Sequence, residues 1–184
     1  MTVNRACLTT LILLIPFLAA GQVYQTESGY AEFTGDTPMF SFEGSSDSLS
    51  GSVNVTDSTV QFKLPVKTLD TGNNKRDRDM MRTLEAGKYP EATFEGKITS
   101  SFNRDKLDEQ EVTVKGTFTI HGVSQSLKIL GTMQFEGDQL KITASWEQKL
   151  TDYNMEPPSV LFYSMDDQIA VRVEASLYPA TTSS

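Results

Sequence analysis

Side chains that commonly carry out enzyme chemistry are scarce in this 184-residue chain. His121 is the single histidine and Cys7 the single cysteine. A metal site would therefore depend mostly on carboxylates, and the Asp77/Asp79 pair lacks the central glycine and distal glutamate of a calcium loop. The sequence has no G-x-S-x-G nucleophile motif and no glycine-rich phosphate loop. We expect no catalytic residue, no metal and no cofactor.

Three polar residues have two interpretations each. His121 precedes Gly122 at the end of an alternating run, which is typical of a turn histidine bonded to the backbone, with contact to a ligand head group as the second interpretation. Arg76 and Asp77 would either attach a helix to the sheet by a charge-assisted hydrogen bond or meet a polar head group. We expect the structural role for all three.

The charge balance excludes one large class of partner. The chain has 16 Lys and Arg against 24 Asp and Glu, so its formal net charge is −8. Binding to the phosphate backbone requires clustered basic residues, and no basic run occurs. We therefore expect no nucleic-acid partner, and the acidic surface disfavours anionic membrane surfaces as well.

The N-terminus has the layout of a secretory signal peptide. Arg5 precedes an apolar run over 11–20, and small residues follow it. Ten residues are too few to cross a bilayer, which takes about 20, so we expect no stable membrane insertion. The prediction is a signal peptide over 1–21 and a single mature domain over 22–184 that is periplasmic or secreted. Cleavage removes Cys7 and therefore leaves no thiol for a disulfide.

Most of the remaining chain alternates apolar and polar residues. A period of two is typical of strands with one buried face, and one buried face per strand favours an antiparallel sheet. The clearest alternating runs are 60–66, 94–98, 112–121, 127–135, 140–146 and 169–177, with weaker candidates at 28–34, 39–43 and 49–55.

Turn residues favour pairing between neighbouring strands. Gly122 and Gly137 lie at tight reversals, and the charged loop 103–109 joins two other runs. Many long strands leave open edges unless the sheet closes into a barrel, although a two-sheet sandwich fits the same period. The stretch 74–85 breaks the alternation and predicts one short helix, with an asparagine cap at its start.

A series of short motifs occurs in order along the chain: Thr71-Gly72-Asn73, Arg76-Asp77, Lys88-Tyr89-Pro90, Thr93-Phe94, Gly116 and Thr119-Ile120-His121-Gly122-Val123. Together these motifs resemble the YceI-like family of exported lipid-binding proteins. The match covers roughly residues 28–178. The resemblance implies an all-β fold, an extended antiparallel up-and-down (lipocalin-like) eight-stranded β-barrel with one short helix after Asp70. It also implies an apolar tunnel for a polyisoprenoid or other long-chain lipid, and an exported location.

The inward faces of the strands would form the wall of such a tunnel. Removing a lipid tail from water there contributes on the order of 25 cal/mol per Å². The alternative is that these side chains fill the interior, although Gly96, Gly116, Gly131 and Ala144 favour some room. The predicted ligand-binding residues are Phe62, Leu64, Val66, Phe94, Ile98, Phe118, Ile120, Ile129, Ile142, Trp146, Val171 and Val173.

The sequence therefore favours a binding protein that carries or sequesters a polyisoprenoid, quinone or fatty-acid derivative and is not an enzyme. Two alternatives stay open: a cell-surface scaffold with a filled core, and a barrel isomerase with ionisable groups among the inward positions. A homodimer is compatible with the sequence. The apolar segment 160–165 predicts either buried packing or a portal at the rim, with Phe162 as the residue to test.

Overall fold

A computed structural model of the protein describes residues 23–39, 41–157, 159–160 and 163–180. The predicted signal peptide and Phe162 lie outside these residues. Within the described part of the chain, no helix is long and apolar enough to cross a membrane.

Eight antiparallel strands close into a barrel, as predicted. Each strand pairs with its neighbours, and β1 closes the ring because it pairs with both β2 and β10. This closure excludes the two-sheet sandwich. Two further strands, β8 and β9, pair as a separate two-stranded antiparallel sheet. The strands are β1 (Val23–Asp36), β2 (Ser41–Asn54), β3 (Thr59–Pro65), β4 (Glu91–Ile98), β5 (Gln110–Ile120), β6 (Val123–Glu136), β7 (Gln139–Lys149), β8 (Ser159–Val160), β9 (Tyr163–Ser164) and β10 (Gln168–Pro179).

Strand β2 differs from its prediction. The sequence predicts two short strands at 39–43 and 49–55, whereas the structure has one continuous strand of 14 residues. Its middle, Gly44–Ser48, is small and polar, so the apolar alternation is lost there. The strand continues because its backbone is paired with β1 on both sides of an irregularity at 47–48, which side-chain periodicity does not report.

One α-helix, α1 (Asn74–Thr83), lies between β3 and β4. The Asn73 side chain caps it by accepting hydrogen bonds from the backbone N–H groups of Lys75 and Arg76. The helix ends two residues earlier than predicted. Two short 3-10 helices complete the chain, Val66–Thr68 before α1 and Thr151–Tyr153 after β7.

The segment between β3 and β4 completes the barrel wall at one end, beside the part of β2 that β3 does not reach. Strand β3 pairs with β2 only over Ser50–Asn54, so the first part of β2 has no strand beside it on that side. A single bridge joins it to this segment, through reciprocal backbone hydrogen bonds of 2.9 Å between Ser45 and Asp70. The residues leading to α1 therefore complete the barrel at this end.

Candidate ligand-binding cavity

The barrel encloses an apolar cavity of about 860 Å³. That volume is typical of ligand-binding sites and is large for voids in close-packed interiors. All twelve predicted ligand-binding residues line it. The filled-core alternative therefore does not describe this structure, while binding by these residues stays a prediction.

The cavity lies lengthwise in the barrel. On β5 its lining extends from Val112 to Ile120. The eight steps between these nine residues, at about 3.3 Å each on a strand tilted by about 40°, give a depth of roughly 20 Å. Trp146 and Phe118 lie in the lining as an edge-to-face pair with ring centroids 5.7 Å apart.

A buried cluster closes the end of the barrel opposite α1. Tyr24 at the start of β1 packs edge-on against Phe135 at the end of β6, with ring centroids 6.0 Å apart. Phe102 stacks on Phe135 at 6.5 Å, and Leu140 and Leu177 are fully buried beside them. None of these five residues lines the cavity, so together they form the floor beneath it.

The end next to α1 is charged and reaches solvent. Met80 of α1 and Leu84, the C-cap residue of the helix, line the cavity together with the exposed helix residues Lys75 and Arg82. Because exposed side chains line the cavity here, this end is open to water. In the described part of the chain, the charged lining residues all belong to this half of the barrel or to α1: Glu32, Lys63, Lys75, Arg76, Asp79 and Arg82.

Arg76 and Asp77 separate into two roles. The Arg76 guanidinium lines the cavity and lies 5.7 Å from the centre of the Phe42 ring, a cation–π distance. Asp77 does not line the cavity. Its Oδ1 accepts hydrogen bonds from the Thr71 N–H at 2.9 Å and the Thr71 hydroxyl at 2.6 Å, which ties α1 to the segment before it.

His121 lies at the turn between β5 and β6, outside the cavity lining. Its φ of 53° and the φ of 73° at Gly122 are typical of a two-residue type I′ hairpin turn. Since a carbonyl only accepts, the His121 Nδ1–H donates to the Tyr153 carbonyl oxygen at 2.9 Å. Its Nε2 lies 3.6 Å from the Glu85 carboxylate. These contacts join the turn to two connecting segments of the barrel.

Tyr153 is the most strongly perturbed titratable group described. Its side chain is 1% exposed and packs edge-to-face on Phe118, with ring centroids 5.7 Å apart. Burial, followed by the nearby charge of Asp152, raises the pKa of Tyr153 to about 12. The phenol is therefore neutral at physiological pH and helps to close the α1 end beside the cavity.

The small residues on the inner face act in two ways. Gly131 and Ala144 line the cavity, and a side chain larger than theirs would occupy it. Gly96 and Gly116 do not line it, since the ring of Phe94 lies over them. The absence of a side chain at these two glycines makes room for the Phe94 ring. The ring fills that space, so the two glycines do not enlarge the cavity.

Gln148 is a cavity residue that the sequence reasoning missed. It is 8% exposed and lines the cavity two residues after Trp146 on β7. Continuing the period of two from Ile142 through Trp146 would have placed it on the inner face. A glutamine there interrupts the apolar pattern, which is why the alternation ended at Trp146 in the prediction.

Fold and site together define the class: a lipocalin-like antiparallel barrel with an apolar internal cavity that is closed at one end and charged at the other. The model of the YceI-like domain matches residues 23–177, and the chain belongs to this family. A UPF0312 protein of Vibrio parahaemolyticus is 27% identical over an alignment of 135 residues that covers 69% of this chain and 67% of that protein.

Solved structures share the fold. A polyisoprenoid binding domain from Saccharophagus degradans, implicated in plant cell wall breakdown, has a TM-score of 0.73 at 16% identity, covering 86% of this chain and 99% of that one. BcnA of Burkholderia cenocepacia has a TM-score of 0.67 at 16% identity, with coverages of 83% and 96%. The Campylobacter jejuni YceI protein has a TM-score of 0.55 at 15% identity, with coverages of 98% and 100%.

Proposed function

We propose that this protein is an exported binding protein that holds a long-chain amphiphile, a polyisoprenoid, quinone or fatty-acid derivative, in its barrel for carriage or sequestration. The observation that supports this proposal most strongly is the character of the cavity lining. Most of the lining residues are apolar, and in the described chain the charged ones lie toward α1. Membership of the YceI-like family and the likeness to a polyisoprenoid binding domain support the same ligand class. The signal-peptide pattern over 1–21 supports a periplasmic or secreted location.

The arrangement of the two ends supports one orientation of the ligand. The tail lies toward the floor formed by Tyr24 and Phe135, where burying each CH₂ group contributes about 0.8 kcal/mol. The head group lies at α1, where Arg76 contacts it. Asp77 and His121 then act structurally, since neither lines the cavity.

Binding without chemical conversion fits the character of the lining. An isomerase would need an ionisable group near the middle of the bound chain, whereas the ionisable lining residues of the described chain lie toward α1. The aliphatic and aromatic side chains below that end offer no proton donor or acceptor at carbon. We therefore assign no catalytic step to the cavity.

The first experiment is mass spectrometry of organic extracts from the mature protein, 22–184, purified after export. A stoichiometric isoprenoid, quinone or fatty-acid derivative is the expected result. In parallel, straight-chain fatty acids of increasing length are titrated while the fluorescence of Trp146, the single tryptophan, is followed. Each added CH₂ should tighten Kd about fourfold until the chain reaches the floor, roughly 20 Å below the rim.

Two neighbouring residues of β7 provide a matched pair of variants. Ala144 lines the cavity, whereas Ser145 is exposed on the outer face. Ala144→Phe should weaken binding of the longest acids, and Ser145→Phe should leave it unchanged. A clean extract together with an affinity that does not depend on chain length would overturn the proposal.

A further inference from the structure

The buried Gln148 side chain has an amide group that the protein uses only in part. Its Oε1 accepts a hydrogen bond of 3.0 Å from the indole Nε1–H of Trp146. Both residues line the cavity, on the part of β7 that approaches the α1 end. Their hydrogen-bonded polar groups lie beside the apolar lining residues Leu150 and Ile169.

The orientation of the amide follows from the chemistry of its partner. An indole Nε1–H is a donor only, so the oxygen of Gln148 must face it. The amide NH₂ group of Gln148 then points away from Trp146. No side chain or carbonyl of the described residues accepts a hydrogen bond from that nitrogen. The Gln148 amide nitrogen is also not fully enclosed by protein atoms, so we place it facing the cavity.

A buried donor without a partner is costly, so such groups are usually satisfied by water or by a ligand. Leu150, two residues on, and Ile169, directly across on β10, provide no acceptor side chain. Neither carries a charge, so these two strand neighbours of Gln148 supply no counter-charge for an anion. An uncharged oxygen acceptor is the group that satisfies this donor without a counter-charge.

We infer that the Gln148–Trp146 pair recognises a neutral oxygen acceptor on the ligand, such as a ketone, ester or ether oxygen. This inference rests on the proposed binding function. The Gln148 NH₂ donates to that oxygen, while Trp146 holds the amide in place. The ligand then carries an oxygen in the part that lies inside the barrel near α1, and is not a plain hydrocarbon chain up to its head group.

The test uses two probes of equal chain length, 2-heptadecanone and n-heptadecane, delivered from methyl-β-cyclodextrin to the mature protein. Bound ligand is quantified by gas chromatography after gel filtration. Gln148→Leu should weaken binding of the ketone about fivefold to tenfold, the loss expected for one neutral hydrogen bond. Binding of the hydrocarbon should not weaken.

A second variant tests the two roles of the Gln148 amide separately: donation to the ligand by its NH₂ group and acceptance from the Trp146 indole by its oxygen. Gln148→Met keeps a weak sulfur acceptor for the indole N–H but has no donor, so it should also lose ketone affinity while Trp146 stays in place. Ile142→Val, which trims the lining elsewhere, is the control and should affect both probes alike. Near-ultraviolet circular dichroism of the single tryptophan checks that the wall is intact.

The outcomes distinguish this inference from the proposed function. If wild-type protein binds fatty acids but neither probe, the acceptor site is refuted and the binding function stands; if it binds neither the probes nor fatty acids, both fail. If wild-type protein binds both probes and the Gln148 variants change both affinities equally, or neither, the binding function stands and the acceptor site is refuted.

Discussion

Replacing Gly116 with alanine tests how the wall is built around Phe94. Gly96 and Gly116 are direct partners on β4 and β5. A Cβ at position 116 would meet the Glu95 carbonyl oxygen, lie 2.6 Å from Phe94 Cζ and lie 2.7 Å from the Gly96 Cα. Two of these three atoms belong to the backbone of the neighbouring strand, so a movement of the Phe94 ring alone cannot relieve the crowding.

The expected cost follows from this crowding. Forcing additional carbon into a packed wall destabilises by about 1–3 kcal/mol. For a domain of this size each kcal/mol lowers Tm by about 2–4 °C, which gives a decrease of about 2–12 °C. The Phe94 ring has free space only on its cavity side. It should therefore move inward and weaken binding of the longest fatty acids.

Thermal unfolding followed by circular dichroism, together with the fatty-acid titration, measures both effects. Gly87→Ala is the matched control, because nothing lies within 4 Å of a Cβ there and its backbone is not in the left-handed region. The control should unfold at the wild-type temperature or slightly above it. If Gly116→Ala unfolds like wild type and binds long chains equally well, the packing of Phe94 on the glycine pair is refuted.

Two further predictions concern the α1 end. Asp77→Ala removes the acceptor of both hydrogen bonds from Thr71 and should lower the free energy of unfolding by about 1.5–3 kcal/mol in a urea titration. Binding of the lipid tail near the floor should change little. An unchanged urea midpoint would contradict the proposed attachment of α1 through Asp77. Tyr153 should ionise only near pH 12, since burial disfavours its charged form. The pKa of Tyr153 is higher in the folded than in the unfolded state, so the contribution of this group to the free energy of unfolding should be constant below pH 10 and fall between pH 10 and 12. Tyr153→Phe should remove that fall, as measured by unfolding across this range.

Much of the fold was predictable because a period of two has a direct geometrical meaning. Alternate residues of a strand point to opposite faces, so the runs at 112–121 and 140–146 identified both their strands and their inward side chains. Gly122 and Gly137 marked the reversals because tight hairpins need positive φ. Family motifs around Arg76-Asp77 and 119–123 then distinguished a barrel from a sandwich, which periodicity alone did not.

Other features depend on partners distant in sequence. Strand β2 continues through Gly44–Ser48 because β1 lies beside it, and no local pattern reports that pairing. Arg76 and Asp77 looked equivalent as a charged pair, yet only Arg76 reaches the cavity, since the helix turns adjacent side chains in different directions. Gln148 was passed over because its polarity ended an apolar pattern that its position continues.

The sequence by itself determined the alternation, the turns, the acidic balance and the family, because these are properties of local order and composition. Whether the inward side chains meet or leave a space between them was decided only by the tertiary structure. That outcome depends on the spacing of strands far apart in the chain, on the floor built around Phe135 and on the segment at Asp70 that completes the wall. The same twelve residues fit either a solid core or a cavity wall until the barrel closes around them.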